Sequence, residues 1–168
     1  MTVTASPRFA RPLALLVAAL LVLALPACTV GPQEIHYGSE TCDHCHMVIS
    51  EPRFAAQAVT TTGMAHKFDS IECMADFLEN DGMDAEALHS LWVADFSEPH
   101  DWTSVEDASF LRSEALRSPM GLSLSAHADR ASAEAHREEL GGELLDWDEV
   151  RALVAREGLQ MGGGHAHH

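Results

Sequence analysis

The order of two kinds of hydrophobic period along the chain constrains its fold more than any other feature. Two short runs of loosely alternating residues, 54–61 and 64–68, flank a Thr-Gly turn and predict a β-hairpin. Apolar residues then recur at helical spacing and predict a helix over 70–79, with Asp69 as its acidic cap. A further apolar and aromatic run predicts a strand over 88–96.

The second half of the chain repeats this order less clearly. Strands are predicted over 108–111 and 122–126, on either side of a loop that contains proline and glycine. A Gly-Gly pair ends a helix predicted over 129–140, a short strand follows over 143–145, and an acidic cap begins a last helix that stops before Gly158. Hairpin, helix and strand, twice over, predict an α+β architecture of two similar units with a C-terminal helix.

Composition indicates one globular domain and excludes one class of partner. The 168 residues are 46% hydrophobic and 21% charged, as in ordinary globular domains. The 26 acidic residues outnumber the 10 basic ones and give a formal net charge of -16. Because a phosphate backbone is repelled over most of such a surface, we predict no nucleic-acid partner.

The N-terminal segment has the pattern of an export signal. Residues 1–27 contain two arginines, no acidic residue and an apolar stretch over 13–25, which is shorter than a membrane-spanning helix needs. The stretch ends on Leu-Pro-Ala before Cys28, which resembles a bacterial lipobox except that Pro26 replaces a small or β-branched residue. We predict lipidation at Cys28 and a domain anchored to a membrane, facing the periplasm or cell exterior. The alternative is an ordinary signal peptide with an incidental cysteine.

The densest set of chemically active side chains is Cys42-x-x-Cys45-x-Met47, with His44 and His46 interleaved. Thiolate and thioether sulfurs are soft donors that favour Cu(I), whereas zinc sites use cysteine, histidine and carboxylate but not methionine. The methionine therefore favours copper. A zinc half-site, a redox dithiol and a disulfide remain open alternatives, although the residues after the motif predict an extended segment rather than the helix N-terminus usual for redox dithiols.

Three of the sulfur side chains that follow the motif bear on its chemistry. Met74 falls on the apolar stripe of the first predicted helix, where core packing accounts for it, and Cys73 lies at the edge of that stripe as a small buried residue. Cys73 also makes the number of cysteines after Cys28 odd, so disulfides cannot pair them all. Met120 lies in a predicted loop of the second unit, where its sulfur could complete a Cu(I) site. Enzyme signatures such as a nucleophile elbow, a phosphate-binding glycine loop or a His-Glu-x-x-His motif are absent from the sequence.

Four linked motifs between residues 39 and 142 resemble the NosL family of nitrous-oxide reductase accessory lipoproteins. They are Cys42-Asp43-His44-Cys45-His46-Met47-Val48-Ile49-Ser50, Phe54-Ala55-Ala56-Gln57, Lys67-Phe68-Asp69-Ser70-Ile71-Glu72-Cys73-Met74 and Ser118-Pro119-Met120-Gly121-Leu122. The resemblance implies a fold of two ββαβ units, shared with organomercurial lyase. It also implies a non-enzymatic Cu(I) chaperone of the periplasm that supplies the copper-sulfide centre of nitrous oxide reductase, or another cuproenzyme, together with a membrane ABC-type transporter.

The same resemblance assigns candidate copper ligands. The family's Cys-x-Met pair corresponds to Cys45 and Met47, and its loop methionine corresponds to Met120. Cys42 is a further candidate, and His46 stands where a glycine is expected. We expect a low-coordinate Cu(I) site, with Cys42, Met120 or a nearby histidine as the third donor. A thiol-dependent enzyme and a structural zinc module are the competing hypotheses.

These assignments divide the chain into four parts. A signal peptide with its lipobox occupies 1–27 and a polar tether occupies 28–39. The copper-binding domain is predicted over 40–160. A glycine- and histidine-rich tail, 161–168, is interpreted either as a collector of divalent metal or as an unstructured end.

Overall fold

The computed structural model describes residues 30–80 and 83–159 of the chain. The predicted signal peptide 1–27, the predicted lipid site Cys28 and the tail 161–168 lie outside the described residues. Within the described ranges, no helix is long and apolar enough to cross a membrane.

The first half of the domain forms a four-stranded antiparallel sheet with one helix. Its elements are β1 (Ala56–Thr60), β2 (Ala65–Phe68), helix α1 (Ile71–Asn80), β3 (Leu88–Ala94) and β4 (Trp102–Ser104). The strand order is β2-β1-β3-β4, so β1 lies between the strands that precede and follow α1. The predicted hairpin, helix and strand are all confirmed, whereas β4 was not predicted.

The second half repeats the arrangement on a smaller sheet. Its elements are β5 (Ser109–Arg112), β6 (Leu124–His127), helix α2 (Arg130–Leu140), β7 (Glu143–Leu145) and the C-terminal helix α3 (Trp147–Glu157). The order β6-β5-β7 again places the first strand of the unit in the centre. Each half therefore contains a ββαβ unit, followed by β4 in the first half and by α3 in the second, which confirms the predicted α+β fold of two similar units plus a C-terminal helix.

One core joins the two units. All five residues of β1 are buried, and Ala56 and Ala58 pack in the same cluster as residues of α1, α3 and the second sheet. Backbone contacts also link the sheets, because the Phe96 N–H donates to the Ala126 carbonyl at 2.9 Å and the Ala128 N–H donates to the Asp95 carboxylate at 3.0 Å. Neither unit therefore presents a complete core of its own.

The start of α1 differs by one residue from the expectation. The Ser70 hydroxyl accepts a hydrogen bond from the Cys73 N–H at 3.1 Å, so Ser70 is the cap and Cys73 occupies the third helical position. Asp69, predicted as the cap, lies one residue earlier and is almost fully buried, with 2% of its surface exposed. The shift leaves the Asp69 carboxylate available for another contact.

The segment before the sheet is docked on the domain. The buried side chain of Gln57 accepts from the Gln33 N–H at 2.8 Å and donates to the Gln33 carbonyl at 2.7 Å. Further along, Ile35 is buried in the core, and the Lys67 amine donates to the Glu34 carbonyl at 2.6 Å. The part of the predicted tether that the structure describes thus packs against β1 and β2.

Candidate metal centre

The Cys-x-x-Cys-x-Met motif forms a closed turn beside the edge strand β2. The Cys42 N–H donates to the Met47 carbonyl at 2.8 Å, and an isolated bridge between Thr41 and Val48 closes the base of the turn. The Asp43 N–H donates to the Lys67 carbonyl of β2 at 2.9 Å. These backbone bonds hold the motif as a tight turn on the sheet edge, and the cysteines do not lie at the N-terminus of a helix.

His46 adopts a backbone conformation that suits glycine. Its φ angle is 62°, in the left-handed region that histidine tolerates better than most residues do. The expectation of a glycine at this position therefore has a structural reason. The His46 side chain is exposed and lies outside the thiol cluster described next.

Three cysteines and one carboxylate converge behind this turn. The ligand atoms of Cys42, Cys45, Asp69 and Cys73 all lie within 4.8 Å of one another. The three cysteines are free, and the Cys45 thiol donates to the Asp69 carboxylate at 3.6 Å. We call these four residues the thiol cluster. Cys42 and Cys45 come from the turn before β1, whereas Asp69 and Cys73 come from the start of α1. The β1–β2 hairpin separates these two segments along the chain.

The three thiols have different acidities. The Cys73 thiol donates a hydrogen bond to the Cys42 sulfur and lowers the pKa of Cys42 to about 6, against the opposing effect of burial. The same hydrogen bond, followed by burial, raises the pKa of Cys73. Burial is the main cause that raises the pKa of Cys45. At neutral pH the thiol cluster therefore contains one thiolate, Cys42, stabilised by a protonated neighbour.

A buried histidine fastens the turn to α1. His44 has 7% of its surface exposed, and its Nε2 lies 2.8 Å from the Asp76 carboxylate. Its ring also contacts the edge of Phe77, the next residue on the helix. Since His44 lies between Cys42 and Cys45, this contact fixes the two thiols against the helix that carries Cys73.

The methionines fall into three environments. Met74 is fully buried in the core, in keeping with its predicted packing role. Met47 is 45% exposed on the solvent side of the turn, two residues after Cys45 in the chain. Met120 is half-buried against the core, in the loop between β5 and β6. Among Met47, Met120 and the three cysteines after Cys28, Met47 is therefore the most exposed sulfur-bearing residue.

Two members of the thiol cluster were missing from the predicted ligand set. Asp69 was interpreted as a helix cap, and Cys73 as a small buried residue. The odd number of cysteines was the one sequence signal that pointed to Cys73, because it left a thiol without a disulfide partner. No local pattern pointed to Asp69, since its carboxylate reaches the cluster only through the fold.

The fold and the cluster together define an α+β protein of two ββαβ units whose converging thiols can hold a metal ion. The NosL family model matches residues 32–154, and the chain therefore belongs to the NosL family. A copper-binding lipoprotein NosL from Stutzerimonas stutzeri is 27% identical over an alignment of 168 residues. The match covers 90% of this chain and 88% of that protein.

A solved structure shows the same fold. The crystal structure of the copper chaperone NosL from Shewanella denitrificans superposes with a TM-score of 0.63 and 23% sequence identity. The match covers 72% of this chain and 96% of that one. The two ββαβ units described above are thus the architecture of that protein as well.

Proposed function

We propose that this protein binds one Cu(I) ion at the thiol cluster and passes it to a cuproenzyme. The observation that carries the proposal is the convergence of three free cysteines, two of which share a turn with the exposed Met47. Several soft sulfur donors in one place match the preference of Cu(I). Both relatives are named for copper, one as a binding lipoprotein and one as a chaperone, which supports a carrier rather than a catalyst.

Sulfur atoms supply the proposed coordination. Cys45 and Met47 form the central pair, with Cys42 as a thiolate already present at neutral pH, and Met120 contributes from the second unit. Cys73 joins this set because its thiol lies in the same cluster. Asp69 is not a proposed ligand, because a hard carboxylate oxygen is a poor donor for Cu(I). Its role is to accept the hydrogen bond from the Cys45 thiol.

The exposure of Met47 suits release as well as binding. A client's ligands approach the metal from the solvent side of the turn, where the thioether stands, while the cysteines remain fixed to the sheet and helix. Copper then moves by ligand exchange, without any change in its oxidation state. The site holds the ion tightly and still leaves one side open to attack.

The cellular setting follows from the resemblance and the relatives' names. We propose that Cys28 carries the lipid anchor, that the domain faces the periplasm, and that the client is the copper-sulfide centre of nitrous oxide reductase. A membrane ABC-type transporter acts with it. The test of this client is transfer of Cu(I) from the loaded protein to metal-free nitrous oxide reductase, followed by the appearance of its copper-sulfide absorption. Transfer no faster than from a small-molecule Cu(I) complex contradicts this choice of client.

Structural zinc is the second candidate, and one observation favours it. Asp69 completes a set of three cysteines and one carboxylate, which is a donor combination acceptable to tetrahedral zinc. The two hypotheses differ in their use of methionine, which zinc sites do not recruit. They also differ in whether the fold needs the metal.

A competition titration with Cu(I) under reducing, oxygen-free conditions separates these candidates, with zinc titrated in parallel. The protein is the full chain purified from membranes in detergent, and a form ending at residue 160 controls for the histidine tail. We expect one tight equivalent of Cu(I) in both forms and weak zinc binding. Tight zinc with little Cu(I) overturns the proposal.

Two variants locate the site within the same titration. Cys45→Ser is expected to abolish stoichiometric Cu(I) binding, because it removes the thiol that pairs with Met47. His46→Gly is the matched control on the neighbouring residue, since it removes an exposed imidazole and relieves the left-handed backbone. Retention of parental affinity by Cys45→Ser, or its loss in His46→Gly, contradicts the sulfur-only ligand set.

A further inference from the structure

A buried carboxylate connects the first turn of α1 to the second unit. Glu72, next to Cys73 in the chain, has none of its surface exposed. Its Oε1 accepts a hydrogen bond from the Ser118 hydroxyl, which lies 46 residues further along the chain. Its Oε2 is buried and has no hydrogen-bond partner among the described residues. The copper-carrying role proposed above gives this group no task.

Ser118 organises the loop that carries Met120. Its hydroxyl oxygen accepts from the Ser123 N–H at 2.9 Å, and its carbonyl accepts from the Gly121 N–H at 3.1 Å. The φ angle of Gly121 is 84°, which allows the chain to reverse between these bonds. One serine side chain therefore ties the end of the loop to its beginning and ties both to Glu72.

Stability alone does not account for the burial of Glu72. Moving a carboxyl group out of water costs free energy, and a well-packed apolar side chain of similar size often does as well or better for stability. The carboxyl group here forms its hydrogen bond across the two units, and that bond fixes the loop at the helix turn that holds the Cys73 thiol. We call the Glu72–Ser118 contact the inter-unit bond.

We propose that Glu72 is a positioning residue for the copper site, which holds the Met120 loop against the first turn of α1 so that the Met120 thioether is presented to the thiol cluster. This inference rests on the proposed Cu(I) function. Without the inter-unit bond, the loop is no longer held in one position, so the Met120 thioether must be ordered each time copper binds. Cu(I) affinity then falls because the contribution of Met120 is weakened, while the contributions of Cys45 and Met47 are unchanged.

A double-mutant cycle on the full chain in detergent tests this coupling by Cu(I) competition. We expect Ser118→Ala and Met120→Leu each to weaken Cu(I) binding about tenfold, and the double variant to bind no more weakly than Met120→Leu, because the two residues act on one donor. Ser125→Ala is the matched control. Ser125 is a buried serine of the same unit that lies on β6, outside the loop, and its hydroxyl is 3.0 Å from the His127 Nε2.

Two substitutions at Glu72 separate the effect of its hydrogen bond to Ser118 on Cu(I) affinity from the effects of its charge and of protein stability. Glu72→Gln keeps an acceptor for the Ser118 hydroxyl and is expected to retain parental affinity. Glu72→Leu removes the acceptor and fills the space with apolar atoms, so we expect weaker Cu(I) binding without a lower melting temperature. This second variant keeps the test decisive if Ser118→Ala folds poorly.

The methyl resonances of isotope-labelled methionines supply a readout that stability alone does not move. In the parental protein the Met120 methyl resonance is expected to shift when Cu(I) is added, and in Ser118→Ala that shift is lost while the Met47 shift remains. Additive effects of Ser118→Ala and Met120→Leu overturn this inference alone. So does an unshifted Met120 resonance in the parental protein, or an equal loss of the shift in Ser125→Ala. Failure of the parental protein to bind Cu(I) overturns the proposed function together with it.

Discussion

At the scale of single residues, the site combines fixed thiols with one exposed thioether. Backbone hydrogen bonds and the His44–Asp76 contact hold Cys42 and Cys45 in place, and the helix holds Cys73. Met47, by contrast, has 45% of its surface exposed to solvent. Substitutions at these positions should therefore separate metal affinity from the stability of the fold.

Met47→Leu tests this separation. We expect the variant to bind Cu(I) at least about tenfold more weakly, because it loses a soft donor, and to melt at the parental temperature, because little buried surface is lost. Met64→Leu is the matched control, since Met64 is 55% exposed in the β1–β2 turn. Competition titration and thermal melting are the measurements. A parental affinity in Met47→Leu removes Met47 from the ligand set.

The acidities of the thiols predict how copper binding depends on pH. Cys45 and Cys73 have raised pKa values and are protonated near neutrality, so Cu(I) must displace protons from them. Affinity should rise with pH between about 6.5 and 8.5, by up to about tenfold per pH unit for each proton displaced. Below the Cys42 pKa of about 6, that thiolate also takes up a proton and the dependence steepens.

The pH series also has a built-in control. Met47→Leu should show the parental slope at a lower affinity, because a thioether does not titrate. Affinity that stays constant between about pH 6.5 and 8.5 contradicts the assignment of a protonated Cys45 as a donor.

At the scale of secondary-structure elements, some contacts admit no extra atom. Gly142 joins α2 to β7 with a φ angle of 104°, and a Cβ added there lies 2.0 Å from the Arg112 carbonyl oxygen of β5. The neighbouring Gly141, with a φ angle of 70°, has open space at the corresponding position. Substitutions at the two glycines therefore separate the cost of an unfavourable backbone conformation from the cost of a steric clash with β5.

Alanine substitutions at the two glycines measure this difference. Gly141→Ala should lower the free energy of unfolding by about 1–3 kcal/mol, because its backbone conformation suits glycine. Gly142→Ala should lose at least about 2 kcal/mol more, because β7 must move away from β5. Urea denaturation provides both values. Equal losses at the two positions contradict the close approach of the strands.

The elements also show what local patterns can and cannot predict. The hairpin, α1 and the second ββαβ unit follow from periodicity, caps and glycine stops, which are local signals. Strand β4 has three residues and no alternating run; it forms because β3 offers a free edge. The motif around Cys45 was visible in sequence, whereas the approach of Asp69 and Cys73 depends on the pairing of the turn with β2, which no local pattern encodes.

At the scale of the whole molecule, we expect folding not to depend on the metal. The core spans both units, with Ile71 and Val93 from the first and Phe110 and Leu124 from the second in one buried cluster. The thiol cluster contributes two buried cysteines to this core, but most residues of the core lie outside the cluster. A copper carrier needs this independence, since it must remain folded after delivery.

Removal of metal by a strong chelator tests the whole-molecule prediction. We expect the far-ultraviolet circular dichroism to be retained and thermal unfolding to remain one cooperative transition, because neither unit has a separate core. A structural zinc module unfolds under the same treatment. Loss of secondary structure on chelation, or two separate transitions in the metal-free protein, contradicts this view of the fold.

The two hydrogen bonds between the Gln57 side chain and the Gln33 backbone have a consequence for the geometry of copper delivery. If lipid is attached at Cys28, only five residue steps separate the bilayer surface from a backbone position held by two hydrogen bonds. Those steps extend at most about 17 Å. The domain is then confined to a thin layer above the membrane, and the same face always points toward the lipid. A client must meet the thiol cluster at that height, so the length of this short connection selects which proteins it can reach.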